Sequence, residues 1–204
     1  FSVLGQLQAF AASPTTALVR VEWNDAVAVK RLLDLGAPGL LFPMIQSVEE
    51  AKQAVAATRY PPHGVRGVSG ATRATAFGRI TDYVAQVEEE TAVLLQLETR
   101  AAVEQAEAIG AVDGVNGIFF GPADIAADIG KLGKPMDPDV WALVKPAAQR
   151  LIAKGMPVGT LVTDPAFAAD LLNEGFTFVA IATDSGLLAR AADAALAQTK
   201  GALQ

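Results

Sequence analysis

Short apolar runs alternate with longer amphipathic segments along the whole chain. The apolar runs are rich in Val, Leu, Ile and Phe, and the segments between them repeat apolar residues at helical spacing. This alternation is typical of βα units, in which helices connect parallel strands. The pattern predicts six strands, over residues 17–23, 39–45, 91–98, 115–122, 156–162 and 176–184.

The amphipathic segments predict a helix after each strand, and two of these helices have recognisable ends. Gly36 closes a helix over Asp25–Leu35, and Ser47 with Glu50 forms a capping-box spacing that opens a helix ending near Tyr60. The other predicted helices are one that ends near Ala12 and those over Thr81–Glu89, Arg100–Ile109, Asp137–Lys154, Pro165–Asn173 and Ser185–Ala202. No linker or charge run interrupts this order, so we expect one domain over residues 1–204.

Two α/β architectures fit such a series of units. One is an open doubly wound sheet, and the other is a (β/α)₈ TIM barrel of which about the first two strands are absent from this sequence. The chain opens on a predicted helix with no strand before it. Composition does not choose between the two architectures, whereas the residues at the strand ends can.

Composition narrows the class of protein. Apolar residues make up 51% of the chain and charged residues 19%, as in a compact soluble α/β protein. No apolar run approaches the roughly 20 residues that span a bilayer, and the first residues lack the features of a signal peptide. The absence of cysteine excludes thiolate metal sites, and a net charge of -6 argues against nucleic acid as a partner. We therefore expect a cytoplasmic protein without nucleic acid or membrane partners.

Two carboxylates stand at neighbouring predicted strand ends. Glu98 ends one strand, and Asp124 follows the Gly-Pro-Ala turn that ends the next. Catalytic groups of parallel α/β proteins gather at these ends, and two close carboxylates favour a divalent cation such as Mg²⁺ between them. The alternative is that Glu98 belongs to the N-cap region of the following helix and that Asp124 caps a helix starting near Ile125.

Other polar residues of the strands could line the same cavity. Gln96 points the same way as Glu98, and Arg20 lies on one face of an otherwise apolar strand. A buried Arg20 would need an anionic partner, either a ligand carboxylate or a carboxylate of the protein. No lysine falls at a strand end, which disfavours Schiff-base chemistry.

One long irregular segment, over residues 60–80, interrupts the alternation. A loop of this length in a compact domain is usually functional. It carries Arg66, Arg73 and Arg79, for each of which surface solvation is the expected fate, and His63, the single histidine of the chain. His63 is not at a strand end, so we expect an exposed loop residue, and the sequence shows no evident general base.

Four blocks of the sequence resemble the class II pyruvate aldolases of the HpcH/HpaI family. They are VRVEWNDAVAVKRLLDLG, YPPHGVRGVSGATRA, LLQLETR and GIFFGPADIAADIG, and the similarity extends over essentially the whole chain. The resemblance implies a metal-dependent TIM barrel that reversibly cleaves 4-hydroxy-2-oxo acids to pyruvate and an aldehyde, through a metal-stabilised pyruvate enolate. The cofactor it implies is a divalent metal: Mg²⁺, Mn²⁺ or Co²⁺.

The resemblance also implies roles for individual residues. Glu98 and Asp124 would be the metal ligands, and Gln96 and the backbone N–H near Ala123 would hold the pyruvate oxygens. Arg20 would bind the pyruvate carbonyl and stabilise the enolate. Asp34 matches an acidic residue that raises the basicity of the catalytic histidine in the family, although its predicted place is near the end of a helix.

The family pattern includes an amino-terminal segment, with a D-x-E-H-type motif that supplies the base, which has no counterpart in this sequence. Two alternatives therefore stay open beside the aldolase. One is a non-catalytic subunit that binds 2-oxo acids or serves in assembly. The other is a related acyl-CoA lyase of the citrate lyase β or malyl-CoA lyase type, although the sequence shows no basic patch for CoA.

The last predicted helix is rich in Ala and Leu on more than one face, which suggests packing against a neighbour. The resemblance implies a homo-oligomer, a hexamer in which dimers exchange this C-terminal helix. The alternative is a helix buried within its own barrel.

Overall fold

The computed structural model describes residues 3–202 and contains a single sheet of six parallel strands, which lie in the order of the chain. Each observed strand falls within a predicted one, so the predicted βα order is confirmed. The strands are β1 (Val19–Arg20), β2 (Gly39–Phe42), β3 (Ala92–Leu97), β4 (Gly117–Phe120), β5 (Val158–Leu161) and β6 (Phe178–Ala180).

The helices follow the prediction except in the two segments that come after β3 and β4. The predicted helix over Arg100–Ile109 is divided at Gln105, and the helix that one alternative started near Ile125 begins at Pro122. The helices are α1 (Val3–Phe10), α2 (Ala26–Asp34), α3 (Val48–Thr58), α4 (Tyr83–Glu90), α5 (Arg100–Glu104), α6 (Ala106–Gly110), α7 (Pro122–Asp128), α8 (Pro138–Ala153), α9 (Pro165–Asn173) and α10 (Asp184–Gly201).

The two faces of the sheet have different surroundings. One face packs against helices and forms the core, with six side chains that are completely buried: Leu40, Phe42, Leu95, Leu97, Ile118 and Phe120. The other face lines a single cavity to which β1 and β6, the two edge strands, both contribute. The sheet is therefore curled around this cavity, and the described residues form a six-stranded half-barrel. The full eight-stranded barrel stays a prediction.

Aromatic packing inside the curled sheet depends on Gly159. A Cβ atom at this position would lie 2.3 Å from the ring of Phe178, so no other residue fits without moving that ring. The space lets Phe178 pack against Phe119 across the sheet, with 5.6 Å between the ring centroids. These rings fill part of the concave face below the strand ends.

The segment between α3 and α4 lies on the amino-end side of the sheet. Helices of βα units run antiparallel to the strands, so the end of α3 and the end of α2 meet on that side. The backbone N–H of Ala74 accordingly donates to the carbonyl of Asp34, the last residue of α2. The long loop is thus on the edge of the sheet opposite the predicted catalytic groups.

Arg66 is completely buried in this loop, so the expectation of surface solvation was wrong for it. Its Nη2 donates to Asp34 Oδ1 at 3.0 Å and to the Tyr83 hydroxyl at 3.2 Å. Its guanidinium also stacks over the ring of Tyr60, with 4.6 Å from Cζ to the centroid. A buried guanidinium needs such partners, and Arg66 therefore ties the loop to α2 and α4.

Replacing Arg66 with methionine should lower the free energy of unfolding by about 2–4 kcal/mol, because Asp34 and Tyr83 lose their buried partner. Urea unfolding followed by circular dichroism measures the change. Arg79→Met is the matched control, since Arg79 is exposed and, among the described residues, its side chain donates to the nearby Ala76 carbonyl alone. Equal unfolding midpoints for the two variants would contradict a structural role for Arg66.

The last helix, α10, has no buried residue among those described. Three of its leucines are more than half exposed: Leu187, Leu188 and Leu196. Both alternatives for this helix, exchange with a neighbouring chain and packing within its own barrel, therefore stay predictions. Within residues 3–202, no helix combines the length and apolar character needed to cross a bilayer.

Candidate active site

The concave face of the sheet opens at the carboxyl ends of the strands into a cavity of about 430 Å³. Four of the residues predicted to form the site line it: Arg20, Gln96, Ala123 and Asp124. The rest of its wall is largely apolar and includes Leu18, Leu41, Phe119, Pro122, Pro135, Met136, Leu161, Val162, Phe178 and Ala180. One edge of the cavity is therefore polar, and Glu98 lies directly behind that edge.

Glu98 directly follows β3 and is only 4% exposed. Its Oε2 accepts a hydrogen bond of 2.6 Å from the backbone N–H of Met44, and its Oε1 accepts one of 2.8 Å from Gln96 Nε2. The N-cap of the following helix is Thr99, whose hydroxyl accepts from the N–H of Ala102. Glu98 is therefore not a helix cap, and each of its oxygens is held by one N–H donor.

Asp124 is the third residue of α7, which follows β4, and its side chain is exposed to the cavity. The N-cap of α7 is Gly121, so the helix begins earlier than predicted and Asp124 does not cap it. Because β3 and β4 are neighbours in the sheet, the two acids lie side by side, as predicted from strand order. The capping alternative is excluded for both residues.

Burial and the second acid raise the pKa of Glu98. The pKa rises from 4.5 to about 7, and desolvation by burial is the largest cause. The hydrogen-bonding and charge interactions with Asp124 raise the pKa further. The N–H of Met44 and the positive charge of Arg20 act in the opposite direction. Without a cation, this pair is thus costly to ionise fully, which is the situation that a divalent ion relieves.

Gly121 leaves the space in which Glu98 sits. A Cβ atom there would lie 2.8 Å from Glu98 Cγ, 3.0 Å from its Oε1 and 3.1 Å from Gln96 Nε2. The glycine of the Gly-Pro-Ala turn is therefore a steric requirement of the site.

Alanine at Gly121 should push Glu98 aside and weaken divalent-cation binding about tenfold, in the range measured for residues that support metal ligands. Isothermal titration with Mn²⁺ measures this effect. Gly70→Ala is the control, because nothing lies within 4 Å of a Cβ atom at Gly70. If the two variants bound Mn²⁺ equally well, the close packing of Gly121 would be irrelevant to the site.

Arg20 and Gln96 face the cavity from β1 and β3. Arg20 is exposed, contrary to the expectation of a buried arginine, and it makes no ion pair with another described residue. It is also the single basic residue among those described that line the cavity. Gln96 uses Nε2 on Glu98, and its Oε1 is buried without a hydrogen-bond partner in the described part of the chain. The site therefore has a free cation and an unpaired acceptor.

The structure does not bring Asp34 and His63 to this cavity. Asp34 ends α2 on the opposite edge of the sheet, where it pairs with Lys30 and Arg66. His63 is an exposed loop residue, as expected, and it pairs with Glu88 on the same distant edge. The role expected for Asp34 stays a prediction.

The donor set fits a hard divalent cation. Two carboxylates lie close together at adjacent strand ends. They offer the oxygen ligands that Mg²⁺ or Mn²⁺ prefers. Among residues 3–202 there is no cluster of three or more His, Cys, Asp or Glu side chains, so the protein would supply two ligands and leave the others to water or substrate. The unpaired Gln96 Oε1 could accept a hydrogen bond from a water on such an ion.

Comparison with known proteins shows the family to which the chain belongs. The sequence profile of a family described as HpcH/HpaI aldolase/citrate lyase matches residues 1–191. The chain belongs to the HpcH/HpaI family. Its relatives include a pyruvate aldolase of Rhizobium etli, 50% identical over 97% of this chain and 78% of the relative. A 4-hydroxy-2-oxo-heptane-1,7-dioate aldolase of Salmonella dublin is 47% identical over 97% of this chain and 75% of the relative.

Solved structures of HpcH/HpaI proteins share the fold. A Burkholderia cenocepacia member of the aldolase/citrate lyase family superposes with a TM-score of 0.90 at 38% identity, over 97% of this chain and 79% of that one. The more distant CitE protein of Mycobacterium tuberculosis, solved in complex with magnesium and pyruvate, has a TM-score of 0.56 at 17% identity, over 88% of this chain and 68% of that one. At that identity the likeness concerns the fold alone.

Proposed function

We propose that this HpcH/HpaI protein is a divalent-cation-dependent pyruvate aldolase that reversibly cleaves 4-hydroxy-2-oxo acids to pyruvate and an aldehyde. The observation that carries the proposal is the pair Glu98 and Asp124 beside the free cation of Arg20, all at one edge of a cavity. The relatives named pyruvate aldolase and heptanedioate aldolase support the same reaction type.

Glu98 and Asp124 would hold the cation, with Mg²⁺, Mn²⁺ and Co²⁺ as candidates. When bound, the ion would supply Lewis-acid polarisation of the 2-oxo group. Arg20 would place positive charge beside the oxygen on which negative charge develops as the enolate forms. The backbone N–H of Ala123, in the first turn of α7, would orient a substrate carboxylate oxygen.

The proton of the 4-hydroxyl must leave as the carbon–carbon bond breaks. No histidine lines the cavity within residues 3–202, and Glu98 is held by two donors and needed as a ligand. We assign the proton transfer to water or to a group outside the described residues. The alternative of a subunit that binds 2-oxo acids without turnover follows if no such group acts.

The cavity favours a small 2-oxo acid over an acyl-CoA thioester. Arg20 is the single basic residue among its described lining residues, whereas the phosphates of CoA call for several. The apolar part of the wall, away from Arg20 and Asp124, suits the carbon chain of a small acid. The lining of the cavity therefore gives no support to a citrate lyase β or malyl-CoA lyase type of reaction.

We further propose that the chain forms a homo-oligomer, a hexamer assembled from dimers whose two chains exchange α10. The support is the absence of any buried residue in α10 and the exposure of its leucines. A second copy would cover this apolar surface. Across such an interface Asp34, which is remote from the cavity of its own chain, could serve the cavity of a neighbour.

Calorimetry tests the proposed site without turnover. Pyruvate should bind when Mn²⁺ or Mg²⁺ is present, and its binding should be lost in EDTA, because the cation and Arg20 together neutralise the acid. Pyruvate binding that is equally strong in EDTA would contradict the proposed role of the cation. Binding with cation but no cleavage of any 4-hydroxy-2-oxo acid would favour the non-catalytic alternative.

A further inference from the structure

Met44 has a backbone conformation that its residue type does not favour. Its φ is +54°, in the left-handed region that L side chains other than those of Asn and Asp rarely adopt. Met44 lies in the connection between β2 and α3, at the carboxyl edge of the sheet. Strained residues of this kind persist only where their surroundings hold them, and they are concentrated at functional sites.

The two residues that follow Met44 are held by two different elements. Ile45 is completely buried, and its N–H donates to the carbonyl of Gln96 in β3 at 3.1 Å. On the helix side, the N–H of Gln46 donates to Glu50 Oε2 at 2.7 Å, while Ser47 Oγ accepts from the N–H of Glu50. The turn at Met44 is therefore clamped between the edge of β3 and the N-terminal cap of α3.

The consequence of this turn is the direction of one N–H group. The N–H of Met44 points to Glu98 Oε2 and makes the shorter of the two hydrogen bonds to that carboxylate. The other donor, Gln96 Nε2, is on a side chain that can rotate, whereas a main-chain N–H cannot leave without the turn changing shape. The orientation of the Glu98 carboxylate is thus set chiefly by the backbone at Met44.

We propose that Met44 is a positioning residue, whose left-handed backbone aims its N–H at Glu98 and thereby fixes that carboxylate for a divalent cation shared with Asp124. The proposal rests on the proposed function, in that it takes Glu98 to be a ligand of the cation. It assigns the role to the backbone of Met44, and its side chain, which is only half-buried, is not essential.

Substitutions at Met44 separate this role from packing. Isoleucine is close to methionine in size and hydrophobicity, but its β-branch disfavours a positive φ, so the N–H should turn away from Glu98. Glycine and asparagine are poor packing replacements that tolerate a positive φ. Backbone positioning predicts that Gly and Asn retain cation affinity and Ile loses it, whereas a packing role predicts the reverse order.

The readout is the dissociation constant of Mn²⁺, measured on the full chain by electron paramagnetic resonance or calorimetry. We expect Met44→Ile to bind about 10–100-fold more weakly than the unmodified chain, the range found when groups behind metal ligands are removed. Met44→Gly and Met44→Asn should stay within about threefold of it, since neither removes the hydrogen bond.

Phe77→Ile is the matched control for backbone strain. Phe77 is exposed, has a φ of +60°, and lies in the long loop on the opposite edge of the sheet. The same unfavourable change there should lower thermal stability and leave the affinity for Mn²⁺ unchanged. A loss of affinity in Phe77→Ile equal to that in Met44→Ile would overturn the proposal.

The outcomes separate this proposal from the proposed function. If the unmodified chain binds no Mn²⁺, both fall together. If it binds Mn²⁺ and Met44→Ile binds equally well, only the role of Met44 falls. If Met44→Ile does not fold, the Gly and Asn variants still test the proposal. A tenfold loss of Mn²⁺ affinity in either variant would overturn the proposal, and retained affinity in both would support it.

Discussion

Replacing Glu98 with glutamine should abolish divalent-cation binding and pyruvate release while making the cation-free protein more stable near pH 8. Removing the charge of one of two ligands should weaken Mn²⁺ binding by at least about 100-fold, more than the loss of a supporting group. The replacement is nearly isosteric. A rotated Gln96 amide could turn its unpaired Oε1 toward the new NH₂ group, so the fold should tolerate glutamine at position 98.

The gain in stability follows from the raised pKa of Glu98. The folded state binds the Glu98 proton more tightly than the unfolded state, because its pKa of about 7 lies above the ordinary value of 4.5. The stability of the cation-free wild-type protein therefore falls as pH rises from about 4.5 to about 7 and stays lower above that. Glutamine lacks this penalty, so the variant should exceed the wild type by about 2 kcal/mol at pH 8 and by little near pH 4.5.

Urea unfolding at the two pH values, with EDTA present, measures this difference. Glu104→Gln removes an exposed acid from α5 at the same edge of the sheet and serves as the control for lost charge. The prediction fails if Glu98→Gln retains wild-type affinity for Mn²⁺, or if its stability relative to wild type does not change between the two pH values.

Replacing Arg20 with glutamine should weaken pyruvate binding and slow cleavage, with a total loss of about 10²–10³ in kcat/KM. Arg20 is the single basic residue among the described lining residues of the cavity, and no described carboxylate pairs with it. Its charge is therefore available to the substrate and to the developing enolate. Lysine should restore part of the binding, because it keeps the charge but not the planar fork.

Calorimetry with pyruvate in the presence of Mn²⁺ measures the binding part of this loss, and steady-state kinetics measures the rest. Arg100→Gln provides the control, since Arg100 is an exposed arginine at the start of α5 that does not line the cavity. A similar loss in the two variants would mean that Arg20 acts only through the overall charge of the protein.

The sequence predicts the parts of the fold that depend on local pattern. Buried strands such as β3 appear as apolar runs, and the cap at Ser47 is readable because its partners are a few residues away. Predicted strands extend beyond the observed ones because apolar residues continue past the paired segment. Ile45 and Val162 still donate to the neighbouring strands beyond the ends of β2 and β5.

The Glu98–Asp124 pair was predictable because it needs only the order of β3 and β4. Consecutive parallel strands that are neighbours bring their carboxyl ends together, so two acids at those ends must meet. The sequence could not show that Glu98 is buried and Asp124 exposed, or that Gly121 provides the space. Those facts depend on how the backbone at Gly121, where α7 begins, packs against Glu98.

Arg66 and Met44 could not be predicted from the sequence. The burial of Arg66 depends on Asp34, which is 32 residues away, and on one tyrosine at each end of the loop, Tyr60 and Tyr83. The left-handed turn at Met44 has no glycine or asparagine to signal it, and it is imposed by contacts of its neighbours. Both features arise from tertiary contacts that override local preference.

Release of pyruvate from a 4-hydroxy-2-oxo acid, followed with and without EDTA, tests the proposed reaction most directly. We expect release to stop in EDTA and to return on addition of Mg²⁺, Mn²⁺ or Co²⁺ to the treated protein, with Glu98→Gln inactive throughout. Release that continues unchanged in EDTA, or in Glu98→Gln, would contradict a reaction that depends on a cation held by Glu98 and Asp124.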